Sequence, residues 1–133
     1  YPDGTPVAAL QAAVDRVGTG WQRLPVALAG FGVFPGPPAI LFAAPVVTTA
    51  LLARQADWLT SVPGLPVHPH YRPGHWVPHI TLSGPLPAPD TALAALLPLW
   101  RPVAGWLDRI DLVRFRPVDI LRSHALAIDA DRA

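Results

Sequence analysis

The residues best equipped for chemistry lie in one stretch, Tyr71-Arg72-Pro73-Gly74-His75-Trp76-Val77-Pro78-His79-Ile80-Thr81-Leu82. An extended chain alternates its side chains between two faces. His79 and Thr81 therefore share one face, and Ile80 and Leu82 are expected on the other, turned into a core. An imidazole moves protons near neutral pH, and a hydroxyl hydrogen-bonds a phosphate or another oxyanion. Pro78 suits the entrance of such a strand, where its missing N–H does least harm. Alternating His and Thr is also ordinary patterning for a polar strand face, so the surrounding sequence has to decide.

Eighteen prolines punctuate the elements that must position this pair. Thr5-Pro6 reads as the N-cap and first position of a helix, with Val7, Leu10, Val14 and Val17 at helical spacing and Gly18 to Gly20 as its end. Leu24 to Phe34 reads as a strand in which Gly30 and Gly32 suggest a bulge or a close backbone approach. The turn Pro35-Gly36-Pro37-Pro38 then leads into a buried strand, Ala39 to Ala44, completing a hairpin. Thr48 and Thr49 can cap a second helix running to about Thr60, with Leu51, Leu52, Ala56 and Leu59 inward. A loop rich in Pro and His, Ser61 to Gly74, precedes a strand from Val77 to Ser83. Asp90 is expected to cap a third helix through Leu97, which Pro98 curtails. Two further strands, Leu107 to Phe115 and Val118 to Ile128, close the chain. Hairpins mixed with helices imply an α+β fold with mainly antiparallel sheet, in one domain spanning 1–133.

Composition narrows the function classes. The chain has 133 residues, 51% of them hydrophobic and 14% charged, with a formal net charge of +1. So even a balance lacks the basic stripe of a protein that grips long nucleic acid, whereas a small anionic substrate needs only a local Arg or His. Cys is absent, which excludes disulfides, thiolate catalysis and Cys-ligated metal. Lys, Glu, Asn and Met are absent too, and abundant Ala, Pro, Arg and Gly match a GC-rich bacterial coding bias. Without Met, Tyr1 is not a translation start. No run of about 20 apolar residues occurs, so a membrane-spanning helix is not expected, and a cytoplasmic location is. No Gly-rich phosphate loop opens a helix.

From about Pro25 to Ser83 the sequence resembles the two-histidine phosphoesterases, the superfamily of 2'-5' RNA ligase-like proteins and cyclic phosphodiesterases. Three segments carry the resemblance. They are Val26 to Phe34 followed by Pro35-Gly36, the helical Leu51-Leu52-Ala53-Arg54-Gln55, and Tyr71-x-Pro-Gly-x-Trp-x-Pro-His79-x-Thr81-Leu82. Leu112-Val113-Arg114-Phe115 and the final strand extend it over nearly the whole chain. The resemblance implies a two-lobed α+β fold, mainly antiparallel sheets with flanking helices, and two His-x-Thr motifs facing each other. Only the second motif is present, so the first, with its N-terminal strand, is expected before Tyr1. A chain that truly began at Tyr1 would hold half a site and is expected to be inactive.

The implied chemistry is metal-independent and needs no cofactor. Opening a 2',3'-cyclic phosphate takes one base to activate water or a hydroxyl and one acid to protonate the leaving oxygen. By the resemblance, His79 supplies one of these transfers and Thr81 holds a nonbridging oxygen. The partner is a small nucleotide or an RNA end. Tyr71 and Arg72 are candidates to border the cleft, one stacking a base and the other meeting phosphate, although a packed Tyr and a solvated Arg fit the sequence equally well. Ser83-Gly84-Pro85 follows the motif where some relatives carry an Arg.

Two other readings compete. A relative that had lost one His would be a non-catalytic module binding nucleotide or RNA ends. His68, His70, His75 and His79 lie within twelve positions and have the composition of a metal-dependent hydrolase. Four prolines stiffen that loop and no acid lies between Asp57 and Asp90, which favours an incidental His-rich loop. His124 lacks a hydroxyl two positions on and is expected to face solvent. The five Trp residues are expected to pack, and Asp108, Asp111 and Asp119 to be solvated.

Overall fold

In the order of the chain, the elements are α1 (Val7–Gly20), β1 (Leu24–Phe34), β2 (Ile40–Pro45), α2 (Thr49–Ser61), β3 (Ile80–Thr81), α3 (Pro89–Leu96), β4 (Ala104–Leu107), β5 (Arg109–Arg114) and β6 (Asp119–Ala125). They come from a computed structural model, which describes residues 1–115 and 117–128. The class is α+β, and the chain divides into two compact units, as the resemblance implied. One unit comprises Tyr1–Pro25, Thr48–Trp76 and the chain from Trp106 onward; the other comprises Val26–Val47 and Val77–Gly105. Among the described residues, no helix is long and apolar enough to cross a membrane.

In the first unit, α1 packs on α2 and on the antiparallel β5–β6 pair. Leu10, Ala13, Val14 and Val17 recur at helical spacing and are buried, while Val7 at the open first turn is 39% exposed. Leu10 and Ala13 meet Val62, with Tyr1, Trp58, Leu65 and Leu112 packed around them. The N-cap of α1 is Pro6, one residue later than expected, because the Thr5 hydroxyl donates back to the Pro2 carbonyl. Arg122 forks onto Asp15 with two bonds of 2.7 and 2.6 Å, tying β6 to α1. His124 does not simply face solvent. Its ring lies against Gly18, where a β-carbon would collide with it. Asp111 is not merely solvated either, since it accepts from Ser123 Oγ at 2.6 Å and pairs with Arg109 at 3.2 Å.

Thr48 caps α2 as expected, its hydroxyl accepting from the Leu51 N–H at 3.1 Å. That helix buries Leu51 and half-buries Trp58 and Leu59, whereas Leu52 and Ala56, expected inward, are exposed. Leu51, Gln55, Trp58 and Leu59 lie on the side of α2 that has structure against it, so Leu52 and Ala56, outside that stripe, stay in water.

The four-stranded sheet has the order β3-β2-β1-β4, with β2 antiparallel to β1 and to β3. Both glycine expectations in β1 hold. A register shift falls between Leu28 and Gly30, and Gly32 is approached closely by the Phe42 ring. In the second unit Leu41, Phe42 and Ala43 are buried, and α3 packs on β2. Asp90 does not cap α3. The cap is Ala88, and Asp90 lies in the first turn, where its charge favours the helix dipole.

Two strand boundaries differ from the sequence reading. The expected strand Leu107 to Phe115 breaks at Asp108 into β4 and β5, which belong to different sheets. The expected strand Val77 to Ser83 shrinks to Ile80–Thr81. Pro78 has no N–H for the ladder, and beyond Thr81 the regular pairing is replaced. There the N–H groups of Leu82 and Ser83 both reach the Leu41 carbonyl, and the Leu41 N–H turns to Ser83 Oγ at 3.0 Å. Because β3 is the sheet's edge, Ile80 and Leu82 are 46% and 47% exposed and do not enter a core.

Candidate functional site

The register of the second unit sets up the surroundings of His79. Residues opposite one another on a ladder share a sheet face. Gly32 is opposite Phe42, and Phe42 is opposite Thr81, so these three and Phe34, two residues after Gly32, lie on one face. The absence of a side chain at Gly32 leaves room for the Phe42 ring. Phe42 stacks on Phe34 at 4.3 Å between centroids and 26° between planes. His79 stands on this aromatic pair, edge-to-face with Phe34 at 4.8 Å and 85°, and with Phe42 at 5.8 Å and 65°.

The His79 ring is half-buried, and its Nδ1 lies 2.8 Å from the Val77 carbonyl oxygen. A carbonyl only accepts, so Nδ1 carries the proton in that bond and Nε2 is the nitrogen left for chemistry. The bond survives in both charge states, because imidazolium also keeps its Nδ1 proton. Nε2 can thus take a proton as a base or give one as an acid without the ring turning. The unit is nearly uncharged. Asp90 and Arg101 are its only Asp and Arg, and Arg101 donates to the Pro98 and Trp100 carbonyls. A backbone carbonyl, not a carboxylate, therefore orients this imidazole. Thr81, exposed at the sheet edge, follows His79 on the same face with its hydroxyl uncommitted among the described residues.

Tyr71 and Arg72 belong to the first unit, while His79 and Thr81 belong to the second. Tyr71 ends the short helical turn Pro69–Tyr71, is 42% exposed, and leans on the His70 ring at 4.1 Å. Its carbonyl accepts from Gln55 Nε2 at 2.7 Å, which ties the loop to α2. Arg72 is exposed and makes no side-chain hydrogen bond or ion pair among the described residues. His68 and His70 stack on each other at 5.5 Å, and no group of three His or Asp side chains fit to hold a metal ion occurs among the described residues.

Phe42 and Ser83 contribute to the site and were not singled out from sequence. The signal for Phe42 was indirect. Gly32 announced a close approach, and the residue that makes it is two positions into the next strand.

The family model described as the 2'-5' RNA ligase superfamily matches residues 1–128. No curated protein and no solved structure matches the chain.

Proposed function

The chain belongs to the 2'-5' RNA ligase superfamily, the two-histidine phosphoesterases, and on that premise we propose that it acts on 2',3'-cyclic phosphates or 2'-5' phosphodiester linkages of RNA or nucleotides. The observation that carries this reading is the His79 imidazole. Its Nδ1 is held by the Val77 carbonyl, its ring meets Phe34 and Phe42 edge-to-face, and Thr81 stands beside it.

In hydrolysis, one imidazole takes a proton from water as the water oxygen bonds to phosphorus. The bond from phosphorus to one ribose oxygen breaks, and a second imidazole gives that oxygen its proton. His79 performs one of the two transfers at Nε2, and the family's other motif supplies the partner. The Thr81 hydroxyl donates to a nonbridging oxygen and stabilises the charge that gathers there. Charge is handled by these groups, so the proposed chemistry calls for no metal.

The test is hydrolysis of a nucleoside 2',3'-cyclic phosphate, with the monophosphate product resolved by chromatography and a chelator present. A protein in which the family's other motif accompanies this chain is expected to turn over, and His79→Ala in it to lose turnover with an unchanged melting curve, whereas the sequence from Tyr1 alone, with one motif, is expected to be inactive. Retained turnover in His79→Ala ends the assignment. Binding without turnover in the unaltered protein makes it a binding module, and activity that disappears with chelator and returns with zinc makes it a metal hydrolase.

A further inference from the structure

The Val77 carbonyl that holds His79 Nδ1 belongs to no regular element. The later segment of the second unit begins at Val77, and β3 starts only at Ile80. Among the described residues that carbonyl accepts no backbone hydrogen bond, so no ladder fixes its direction. Yet it meets the imidazole at 2.8 Å. The residue between them is Pro78, which is buried although Val77 is 47% exposed.

The register shows why the ladder stops short of this point. Phe42 pairs with Thr81 and Ala43 with Ile80, and the Leu82 N–H reaches the Leu41 carbonyl. Antiparallel pairs alternate between those that exchange backbone bonds and those that do not. Leu41 with Leu82 and Ala43 with Ile80 are of the bonding kind, and the next such pair along the register is Pro45 with Pro78. Neither proline has an N–H, so both bonds are missing and the pairing ends.

Freed from the ladder, the segment needs another constraint to keep carbonyl and ring together. Side chains of a regular strand stand roughly perpendicular to the sheet, while its carbonyls lie in the plane of the ladder. A ring on such a strand points away from the carbonyl two residues back. Proline departs from strand geometry in the first torsion between that carbonyl and the ring. It locks φ at about −65°, against about −140° in an antiparallel strand. It also confines the residue before it to extended conformations, which sets how the Val77 carbonyl leaves the chain. The Phe34 and Phe42 rings limit where the imidazole lies, but they offer no oxygen that selects one nitrogen over the other.

We infer that Pro78 is a positioning residue for His79. By ending the ladder and locking the backbone between Val77 and His79, it keeps the proton on Nδ1 and leaves Nε2 for proton transfer. A neutral imidazole free in water prefers its proton on Nε2, so the opposite tautomer has to be imposed by the hydrogen bond to the carbonyl. The inference rests on the reading of His79 as a proton-transfer group.

The test reads the tautomer directly, from the imidazole nitrogen shifts of His79 by NMR, at a pH where the ring is neutral and without substrate. The proton is expected on Nδ1 in the unaltered protein. Pro78→Val keeps an apolar side chain and brings an N–H that can pair with the Pro45 carbonyl, so it is expected to fold. Its neutral His79 is expected to carry the proton mainly on Nε2. Pro78→Ala is the second variant, expected to show the same shift at lower stability. In a protein that also carries the family's other motif, Pro78→Val is expected to lower kcat about 100-fold with little change in KM, the scale of a misplaced catalytic group. A proline that served only packing would cost stability and leave the tautomer where it was. The proton on Nε2 in the unaltered protein, the proton still on Nδ1 in a folded Pro78 variant, or failure of both variants to fold each overturns the inference. Loss of turnover in His79→Ala with a tautomer unmoved by Pro78→Val removes this inference alone. A tautomer moved by Pro78→Val with full turnover in His79→Ala removes the phosphoesterase role of His79 and leaves the hold of Pro78 on its ring standing.

Discussion

The ring of Phe42 lies so close over the backbone of Gly32 that a β-carbon at Gly32 would overlap it. Phe42 in turn stacks on Phe34, and both rings face His79. The hydrogen at Gly32 is therefore what lets the aromatic floor under the imidazole exist. A missing side chain on β1 sets the position of a catalytic candidate on the far side of β2.

Gly32→Ala tests that dependence. Forcing an extra methyl into a packed site costs about 1–3 kcal/mol. Replacing a strand glycine with alanine returns about 0.5–1 kcal/mol through backbone entropy. The clash wins, so the variant is expected to be destabilised and to lose turnover as Phe42 and His79 shift. Gly30→Ala is the control, because nothing lies within 4 Å of a β-carbon placed there. Its denaturation midpoint is expected to match or exceed that of the unaltered protein. Equal stability of the two variants would show that Phe42 moves aside without cost.

Ser83→Ala removes the acceptor of the Leu41 N–H. Leu41 is 2% exposed, so no water replaces the lost hydroxyl. An orphaned buried N–H costs about 1–3 kcal/mol. The variant is expected to unfold at lower denaturant by that amount and to show faster amide exchange at Leu41 and Leu82. Ser83→Thr keeps the hydroxyl and is expected to keep most of the stability. Unchanged exchange in Ser83→Ala would mean that the backbone pairing alone holds β3 on β2.

What the sequence made legible, and what it did not, separates along local and non-local lines. The hairpin, the Thr48 cap and the two glycine irregularities of β1 are written in residues near one another. His79 and Thr81 were legible because their types and spacing are chemical. The fate of Ile80 and Leu82 was not. Alternation says which residues share a face, but not whether anything covers that face, and β3 turned out to be an edge. The bond between Ser83 and Leu41 spans 42 positions, and no local pattern encodes it. The break at Asp108 likewise follows from two sheets competing for one extended segment. Trp21, Trp58 and Trp76 read as packing groups, and Trp58 does pack on the core of the first unit. That all three also line one cavity of about 340 Å³ was not legible, because the loop from Val67 to Trp76 meets α2 only in the fold.

Thr81→Val and Thr81→Ser separate the hydroxyl from the shape of its side chain. Thr81 is exposed at the sheet edge, so neither change is expected to move the melting temperature appreciably. If the hydroxyl holds a nonbridging oxygen as negative charge builds, losing it costs about 100- to 1,000-fold in kcat, the scale of a removed oxyanion donor. Valine is expected to show that loss, and serine to keep activity within about tenfold of threonine. Turnover by the valine variant at the rate of the unaltered protein would remove Thr81 from the mechanism and leave His79 in it.

Asp15 gives the fold a defined response to acid. The hydrogen bond from Arg122 is the main cause that holds the Asp15 carboxyl below its ordinary value. Partial desolvation opposes this, while the charges of Arg122 and His124 add to it. A carboxylate whose folded value lies below its unfolded one contributes stability above the unfolded value, about 3.9 for Asp, and loses it as pH falls through the folded value. Both partners are at the surface, 39% and 49% exposed, so the contribution is small and screened by salt. The measurement is the difference in melting temperature between the unaltered protein and Asp15→Asn as pH is lowered, at low and at high ionic strength. Other carboxylates titrate in the same window and cancel in that difference. The gap is expected near neutral pH, to narrow with salt, and to close as Asp15 takes up its proton. A gap that persists far below the carboxylate range would place the effect of Asp15→Asn in the packing of α1 instead of in the pairing of α1 with β6.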